Sequence, residues 1–577
     1  MPLSSVYDYT DKLKELLGQC GKVKDISLEF MEISDNADRV KFVRELLKEH
    51  NLIVEGRLKL AKTNAIAEAC RAKGNQFYSK KEFLDALEAY NQSLCFAEPG
   101  SQTIGLAYAN RSAVFYELKL YASSLKNIQL AKDNDYPSEN YEKLEKRQVQ
   151  CIQMINSSVK NDDVPIGREF LKLILKPNEK LPFLADCLEL KCDDRFGRYV
   201  TTKVLLKPGD VVCVEEPFSK ILLPSHRYKY CATCLNDKFL DLIACNNCTF
   251  TMFCSDECAI IGNDKFHKYE CAIVDKLNSL ATKILRISVR TFFEALHVCN
   301  GSFNELKALI EKNRDSGITI FDFETLMTPK NVLQAVDALA ANEESRSKAD
   351  LFQRSGTVAI ICDLLIDHTN VRDLIATDDD RDFFYRFIFK QTQIAACNYH
   401  GLYNGVVKMS EINSNPQYGS GSFPFCSMMN HSCSPNLVRV TSENKNYVVI
   451  NRPVMPGGQL FDNYGFHHCL EEIKARQSTL QSQYMFKCSC EACTLNFPLF
   501  PYLPLVDPNI EKFLSDDVKK LSTLDVNRAK IKIRAYCDYL MTTDKQYPCW
   551  EISSVQECLL RCFTIFTMSE FKLKLCA

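Results

Sequence analysis

Between Ala65 and Asn140 the apolar positions repeat. Gly74, Phe77, Phe83, Ala86, Leu87 and Tyr90 recur at an offset of 38 as Ser112, Phe115, Tyr121, Ser124, Leu125 and Ile128. Small residues stand where helices can touch and large ones stand between, which predicts paired antiparallel helices, with a third, degenerate pair from near Asn140. From Cys187 to Phe218 the period shortens. Gly197-Arg198-Tyr199-Val200, Val204-Leu205-Leu206 and Val211-Val212-Cys213-Val214 read as strands, with a turn at Pro208-Gly209-Asp210. Residues 272 to about 390 return to helical spacing, as in Val289, Phe292, Phe293 and Leu296, before strands resume from around Gln393 to Ile450. After Pro498 the pattern is mostly helical, and Trp550 falls within it.

A chain of 577 residues exceeds what one core can organise, so several packed units are expected. Apolar residues at 46% and charged ones at 25% are ordinary globular values. A formal charge of -2 with no long Lys/Arg block argues against direct, phosphate-driven nucleic-acid binding. The start Met1-Pro2-Leu3-Ser4-Ser5-Val6-Tyr7-Asp8 lacks the basic and apolar regions of a signal peptide, and no apolar run is long enough for a bilayer. The expectation is an intracellular chain without a membrane anchor, in which a reducing pool keeps most of the 28 cysteines as thiols or metal ligands.

Two cysteine clusters carry the chemistry. Cys231, Cys234, Cys245, Cys248, Cys254, Cys258, His267 and Cys271 form an eight-ligand ladder, enough for two closed tetrahedral zinc sites. Analogy with interleaved two-zinc modules assigns Cys231, Cys234, Cys254 and Cys258 to one ion and Cys245, Cys248, His267 and Cys271 to the other. Buried free thiols are the competing reading. The second cluster joins Cys433 to the run Cys488, Cys490 and Cys493, a four-thiolate set for a third structural zinc.

Histidine in the seventh place, with Phe253-Cys254-Ser255 and His267-Lys268-Tyr269-Glu270-Cys271, resembles the MYND zinc finger. Such fingers bind peptides, often proline-rich ones. Asn430-His431-Ser432-Cys433-Ser434-Pro435-Asn436, followed by Gly457-Gly458-Gln459-Leu460-Phe461-Asp462-Asn463-Tyr464-Gly465, resembles the closing half of a SET domain, whose opening half is then Gly197 to Asp210. A SET domain split by a MYND finger resembles the SET-and-MYND lysine methyltransferase family, and Ala72-Lys73-Gly74-Asn75-Gln76-Phe77-Tyr78 with Ala107-Tyr108-Ala109-Asn110-Arg111-Ser112 is similar to its tetratricopeptide-bearing subfamily.

That resemblance implies an α+β multidomain chain. Its parts are a helical segment over 1–64, repeats over 65–160, the SET halves at 187–228 and 391–466, the MYND finger at 229–271, a helical insert at 272–390, a post-SET zinc segment at 467–497 and a helical region at 498–577. It also implies methyl transfer from S-adenosylmethionine to a lysine of a histone or non-histone protein, in cytoplasm and nucleus, by a monomer. Tyr464 and Tyr484 take the catalytic channel. Gly197, Arg198, Cys397, Asn398, Ser427, Asn430, His431, Tyr464 and Phe486 take the cofactor, with Cys397-Asn398 on a strand beside it.

Two departures matter. Tyr199 stands where the family has a second glycine, and it either crowds the cofactor or points away. The Asn398-Tyr399-His400 strand end also differs from the family pattern. The alternative function is therefore a non-catalytic scaffold, a corepressor or chaperone-linked adaptor. Arg71, Asn75, Asn110, Lys143 and Arg147 resemble the clamp that holds the acidic carboxyl terminus of Hsp70 or Hsp90, and solvated helix charges are the plain alternative. The ending Phe571-Lys572-Leu573-Lys574-Leu575-Cys576-Ala577 carries no clean helix pattern.

Overall fold

The computed structural model describes residues 5–52, 54, 59–157, 166–236, 240–314, 316–403, 417–507, 509–543 and 547–568. Its chain divides into two compact units, each assembled from three stretches of sequence. The ending Phe571–Ala577 lies outside the described residues.

The first unit comprises residues 1–162, 221–297 and 347–392. It begins with helices Val6–Gln19, Val23–Glu32 and Asn36–Glu49. Ser5 starts the first with a reciprocal box: its hydroxyl accepts from the Asp8 amide at 3.3 Å, and the Asp8 carboxylate accepts from the Ser5 amide at 2.9 Å. The third helix packs against the long helix Lys348–His368, where Arg44 donates to both carboxylate oxygens of Asp363, at 2.8 and 2.7 Å. Gly356 permits both the first and the third helix to approach, because a Cβ there would sit 2.6 Å from Thr10 Cγ2 and 3.2 Å from Val43 Cγ1.

The repeats follow as helices Asn64–Ser79 and Phe83–Phe96, then Gln102–Glu117 and Tyr121–Asp133. Corresponding helices begin 38 residues apart, as the periodicity predicts. Gly74 lies against Tyr90, whose ring would be 2.4 Å from a Cβ at that position, so the small residue sets the helix spacing. Tyr141–Ser157 is a single further helix.

The repeats share a core with the segment that carries the eight-ligand ladder, Leu94, Tyr108 and Ile128 packing with Leu242, Met252 and Phe253. At its centre the fully buried Arg111 guanidinium donates to Asp241 at 2.8 Å, Asn91 at 2.6 Å, Asn127 at 2.9 Å and the Leu242 carbonyl at 2.5 Å. A buried charge survives only with such a set of acceptors. In the helix Lys283–Val298 the predicted stripe Val289, Phe292, Phe293 and Leu296 is buried, with Phe292 edge-on to Phe384 at 4.7 Å.

The second unit comprises residues 163–220, 298–346 and 393–577. Strand Leu188–Asp193 pairs antiparallel with Gly197–Thr202, and Val211–Glu215 pairs with Lys445–Ile450, which pairs with Leu437–Ser442. Asn430–His431 runs parallel to Phe461–Asp462, and His400–Tyr403 pairs antiparallel with Gln417–Gly421. Helices Val526–Thr542 and Trp550–Phe566 cover a core that includes Val211, Val440 and Val449.

Two expectations fail locally. Val204–Leu206 is not a strand: Leu206 makes only an isolated bridge to Val454. Pro208 and Pro453 lie just past the bridge in one direction and Pro456 in the other, and none has an N–H with which to extend it. Cys397-Asn398 is the end of the helix Asp378–Asn398, not a strand. Asp378, Asp379 and Asp380 favour that helix at its positive end, and Asn398 finishes it with a side-chain donor to the Ile394 carbonyl at 2.8 Å.

Candidate functional site

Within the second unit a cavity of about 630 Å³ opens between the strand end at Gly197, the close of the helix Asp378–Asn398 and the segment after Tyr484. Gly197, Arg198, Cys397, Asn398, Ser427, Asn430, His431, Tyr464, Tyr484 and Phe486 all line it. Residues nearly 300 positions apart are thus brought to one surface.

Local pairing explains the convergence. The parallel bridge sets Asn430 beside Phe461 and His431 beside Asp462, and the Ser432 amide donates to the Asp462 carbonyl at 2.8 Å. Asn430 reaches back to the Phe196 carbonyl at 3.0 Å, fixing the glycine turn against the same wall. Gly197 has φ +61°, a conformation that side chains disfavour, and its Cβ position is open space. Arg198 faces the Gly317 and Ala338 carbonyls at 3.3 and 3.5 Å.

Tyr199 is turned away from this cavity. Its hydroxyl hydrogen-bonds with Asp193 on the neighbouring strand, which raises the phenol's pKa, and its ring lies edge-on to Phe196 at 5.8 Å. The bulk that replaces the family glycine is spent on the outer face.

The two tyrosines stand 4.8 Å apart, ring to ring. Tyr464 donates its hydroxyl to the Met429 carbonyl at 2.9 Å, and burial pushes its pKa well above that of an ordinary phenol. Tyr484, pushed up to about 12 by burial, has its hydroxyl 3.5 Å from the Tyr464 carbonyl. Both are neutral near pH 7. With its proton committed to Met429, the Tyr464 oxygen presents lone pairs only. His431 lies at 5.2 Å from the Tyr464 ring and 6.2 Å from that of Phe486. Ser427 is committed internally, its oxygen 2.7 Å from the Asn398 carbonyl and 2.8 Å from that of Phe423.

The helical insert supplies lining residues that sequence reasoning missed. Asn342 adopts φ 53° and points its amide toward Cys397 Sγ at 3.6 Å and the Tyr484 carbonyl at 3.5 Å. Asn398 is held to the Ala340 carbonyl at 2.8 Å. Arg195, Leu339, Arg452 and Lys487 complete the rim. Only the left-handed turn at Asn342 leaves a trace in sequence, as an asparagine among alanines.

The cysteine sets assemble as the analogy with interleaved two-zinc modules and the Cys433 pairing assign them. In each, the ligand atoms lie within 4.8 Å of one another: Cys231, Cys234, Cys254, Cys258; Cys245, Cys248, His267, Cys271; and Cys433, Cys488, Cys490, Cys493. Individual separations, such as Cys254 to Cys258 at 3.5 Å, Cys433 to Cys493 at 3.6 Å and His267 Nε2 to Cys245 Sγ at 3.2 Å, are those of donors facing a common centre. Four thiolates, or three with an imidazole, so placed fit a tetrahedral zinc ion. A further group, His467, His468 and Cys469, differs. His468 donates from Nδ1 to the Pro498 carbonyl and accepts at Nε2 from the Tyr547 hydroxyl, both at 3.1 Å, so its ring is already satisfied.

The residues of the clamp pattern are partly engaged. Asn75 Oδ1 accepts from Tyr90 at 2.8 Å and from Asn110 at 2.7 Å, and Arg147 donates to the Ala109 carbonyl and the Ser112 hydroxyl at 3.2 and 2.7 Å. Lys143 is exposed.

A family model described as SET domain matches residues 197–465. The chain is 22% identical over 507 residues to the protein-lysine N-methyltransferase SMYD4 of Danio rerio, covering 76% of this chain and 67% of that relative. It is 22% identical over 534 residues to SMYD4 of Homo sapiens, covering 73% and 66%. A SET and MYND domain-containing protein of Dictyostelium discoideum is 23% identical over 325 residues, covering 53% and 81%. The chain thus spans about two thirds of the length of the SMYD4 relatives. A SET domain whose two halves flank an eight-ligand ladder, joined to relatives of that description, makes this chain similar to the SET-and-MYND family.

Proposed function

We propose that the chain is a protein-lysine N-methyltransferase that uses S-adenosylmethionine. The observation that carries the reading is the convergence of Asn430, His431, Tyr464, Tyr484 and Phe486 on one cavity. When bound there, the cofactor supplies an electrophilic methyl group on sulfur. Asn430 and His431 fit the methionine and adenosine portions, and Phe486 offers a ring face for adenine. The chain's own work is alignment and exclusion of water. Tyr464, a neutral acceptor, orients the lysine amine and the methyl; it is too weak a base to take the ammonium proton, so the amine sheds it to solvent before attack. Tyr484 walls the channel.

The outward placement of Tyr199 supports this enzyme reading over the scaffold, since crowding at that position is the scaffold's main motive. Substrate selection belongs in this proposal to the finger and the repeats, with proline-rich peptides at the finger. An acidic carboxyl terminus of Hsp90 or Hsp70 type at Arg71, Asn75, Asn110, Lys143 and Arg147 requires exchange of the bonds that Asn75, Asn110 and Arg147 now make. Titration calorimetry of S-adenosylmethionine into the zinc-loaded full-length chain tests the reading. Saturable one-to-one binding is expected; well-folded protein that takes up no cofactor transfers the assignment to the scaffold.

A further inference from the structure

Glu215 ends the strand Val211–Glu215 and is 2% exposed. Such a carboxylate is costly inside a protein unless donors converge on it. Here they do, and they come from one place. The Phe425 amide donates to Oε1 at 2.7 Å, the Cys426 amide donates to Oε2 at 2.9 Å, and the Cys426 side chain also hydrogen-bonds the carboxyl. Arg439, the cation whose charge reaches this carboxyl, is committed to Asp462 at 2.7 Å.

The loop that supplies these donors is the one that enters the cavity. Phe425 and Cys426 open the tight turn Cys426–Met428, and two residues beyond it the chain delivers Asn430 and then His431. The strand end is itself fixed: Glu215 stands opposite Asn446 in the three-stranded sheet, and Phe218 donates to the Ser422 carbonyl at 2.8 Å. The sheet therefore reaches the loop through this side chain. The desolvated carboxyl is held up at about 7, which marks a group retained at a cost to stability.

We infer that Glu215 is a positioning residue for cofactor binding, its two carboxylate oxygens holding Phe425 and Cys426 so that Ser427, Asn430 and His431 face the cavity. The cofactor part of this inference rests on the proposed function; the loop-holding part does not. Geometry makes the requirement specific. A glutamine of the same shape offers one acceptor and one NH₂, and the NH₂ would confront a backbone N–H.

The test is Glu215→Gln in the full-length, zinc-loaded chain, read by calorimetry with S-adenosylmethionine and by amide hydrogen exchange. Affinity should fall about tenfold, and exchange across residues 423–431 should quicken at least about tenfold, with the strands Leu437–Ser442 and Lys445–Ile450 unaffected. Unchanged exchange in that loop overturns the inference, and so does a uniform loss of protection through both strands, which marks a general packing role. Local loosening with wild-type affinity would overturn the cofactor role. If the unsubstituted chain binds no cofactor, the proposed function and the cofactor role fall together, while the exchange experiment still decides whether Glu215 holds the loop.

Discussion

The main-chain nitrogen of Tyr464 donates to Nδ1 of His431 at 3.1 Å. This bond settles two things. It gives the His431 ring the tautomer with its proton on Nε2, facing Cys433 Sγ at 3.3 Å, and it ties the backbone of Tyr464 to the strand Asn430–His431. Burial pushes the ring's pKa down to about 4, so it is the neutral acceptor that this bond needs.

Removing the hydroxyl of Tyr464 should separate binding from transfer. Tyr464→Phe keeps the ring against His431 and Tyr484 and loses the hydroxyl, with its bond to the Met429 carbonyl and the lone pairs proposed to orient the amine. Cofactor affinity should stay within about twofold and the transfer rate should drop roughly 100-fold or more. Equal single-turnover rates for the two proteins would remove Tyr464 from the catalytic assignment.

Cys490 belongs to the thiolate set that starts two residues after His431 and lies four residues after Phe486. Cys490→Ser should lower zinc content from three ions per chain to two and weaken S-adenosylmethionine binding, with the repeats unaffected. Elemental analysis paired with calorimetry reads both effects. A variant that loses the ion yet binds cofactor normally would show the set to be remote in energy as well as in role.

Stability should carry the signature of Glu215. Its folded pKa of about 7 lies above the 4.5 of an exposed glutamate, so between these values the native state holds a proton that the unfolded chain has lost. Stability from this group is accordingly lost as pH rises from 4.5 to 7. The thiols of Cys213 and Cys426 beside it are held well above their usual range and stay neutral there, and Arg439 stays charged. Relative to wild type, Glu215→Gln should gain about 3 kcal/mol of unfolding free energy between acid and neutral conditions. Urea unfolding at the two pH values measures it, and parallel pH profiles would contradict the assignment.

The Arg111 network predicts an asymmetry. Asp241→Asn strips the buried guanidinium of its counter-charge and should cost about 3–5 kcal/mol, whereas Arg111→Met leaves the Asp241 carboxylate with Lys126 as a partner at 3.3 Å and should cost less. Denaturant unfolding of the two variants decides it. A larger loss for Arg111→Met would mean that the hydrogen bonds to Asn91, Asn127 and Leu242 outweigh the ion pair.

What could be read in the sequence follows from how local each signal is. Zinc ligands repeat at fixed short spacings because a turn must aim two sulfurs one way, so both interleaved sets and the Cys433 set assemble as assigned. The repeat was legible because small residues stand where paired helices meet, Gly74 against Tyr90 and Ser112 against Ser124. Asn342 and the Ala340 carbonyl were not, since they join the wall through contacts with residues more than 50 positions away and follow no period. Cys397-Asn398 misled because the short apolar run Ile394-Ala395-Ala396 suits a strand or a buried helix equally. At Tyr199 the sequence posed a question that only a side-chain direction answers.

The Arg111 network also changes how the repeats should be regarded. Arrays of this kind recognise partners through polar groups lined up on their helices. Here Asn91, Arg111 and Asn127 have turned those groups onto Tyr228, Leu240, Asp241 and Leu242 of the same chain. The array already has a permanent guest, and any visitor must be content with the face that guest leaves open.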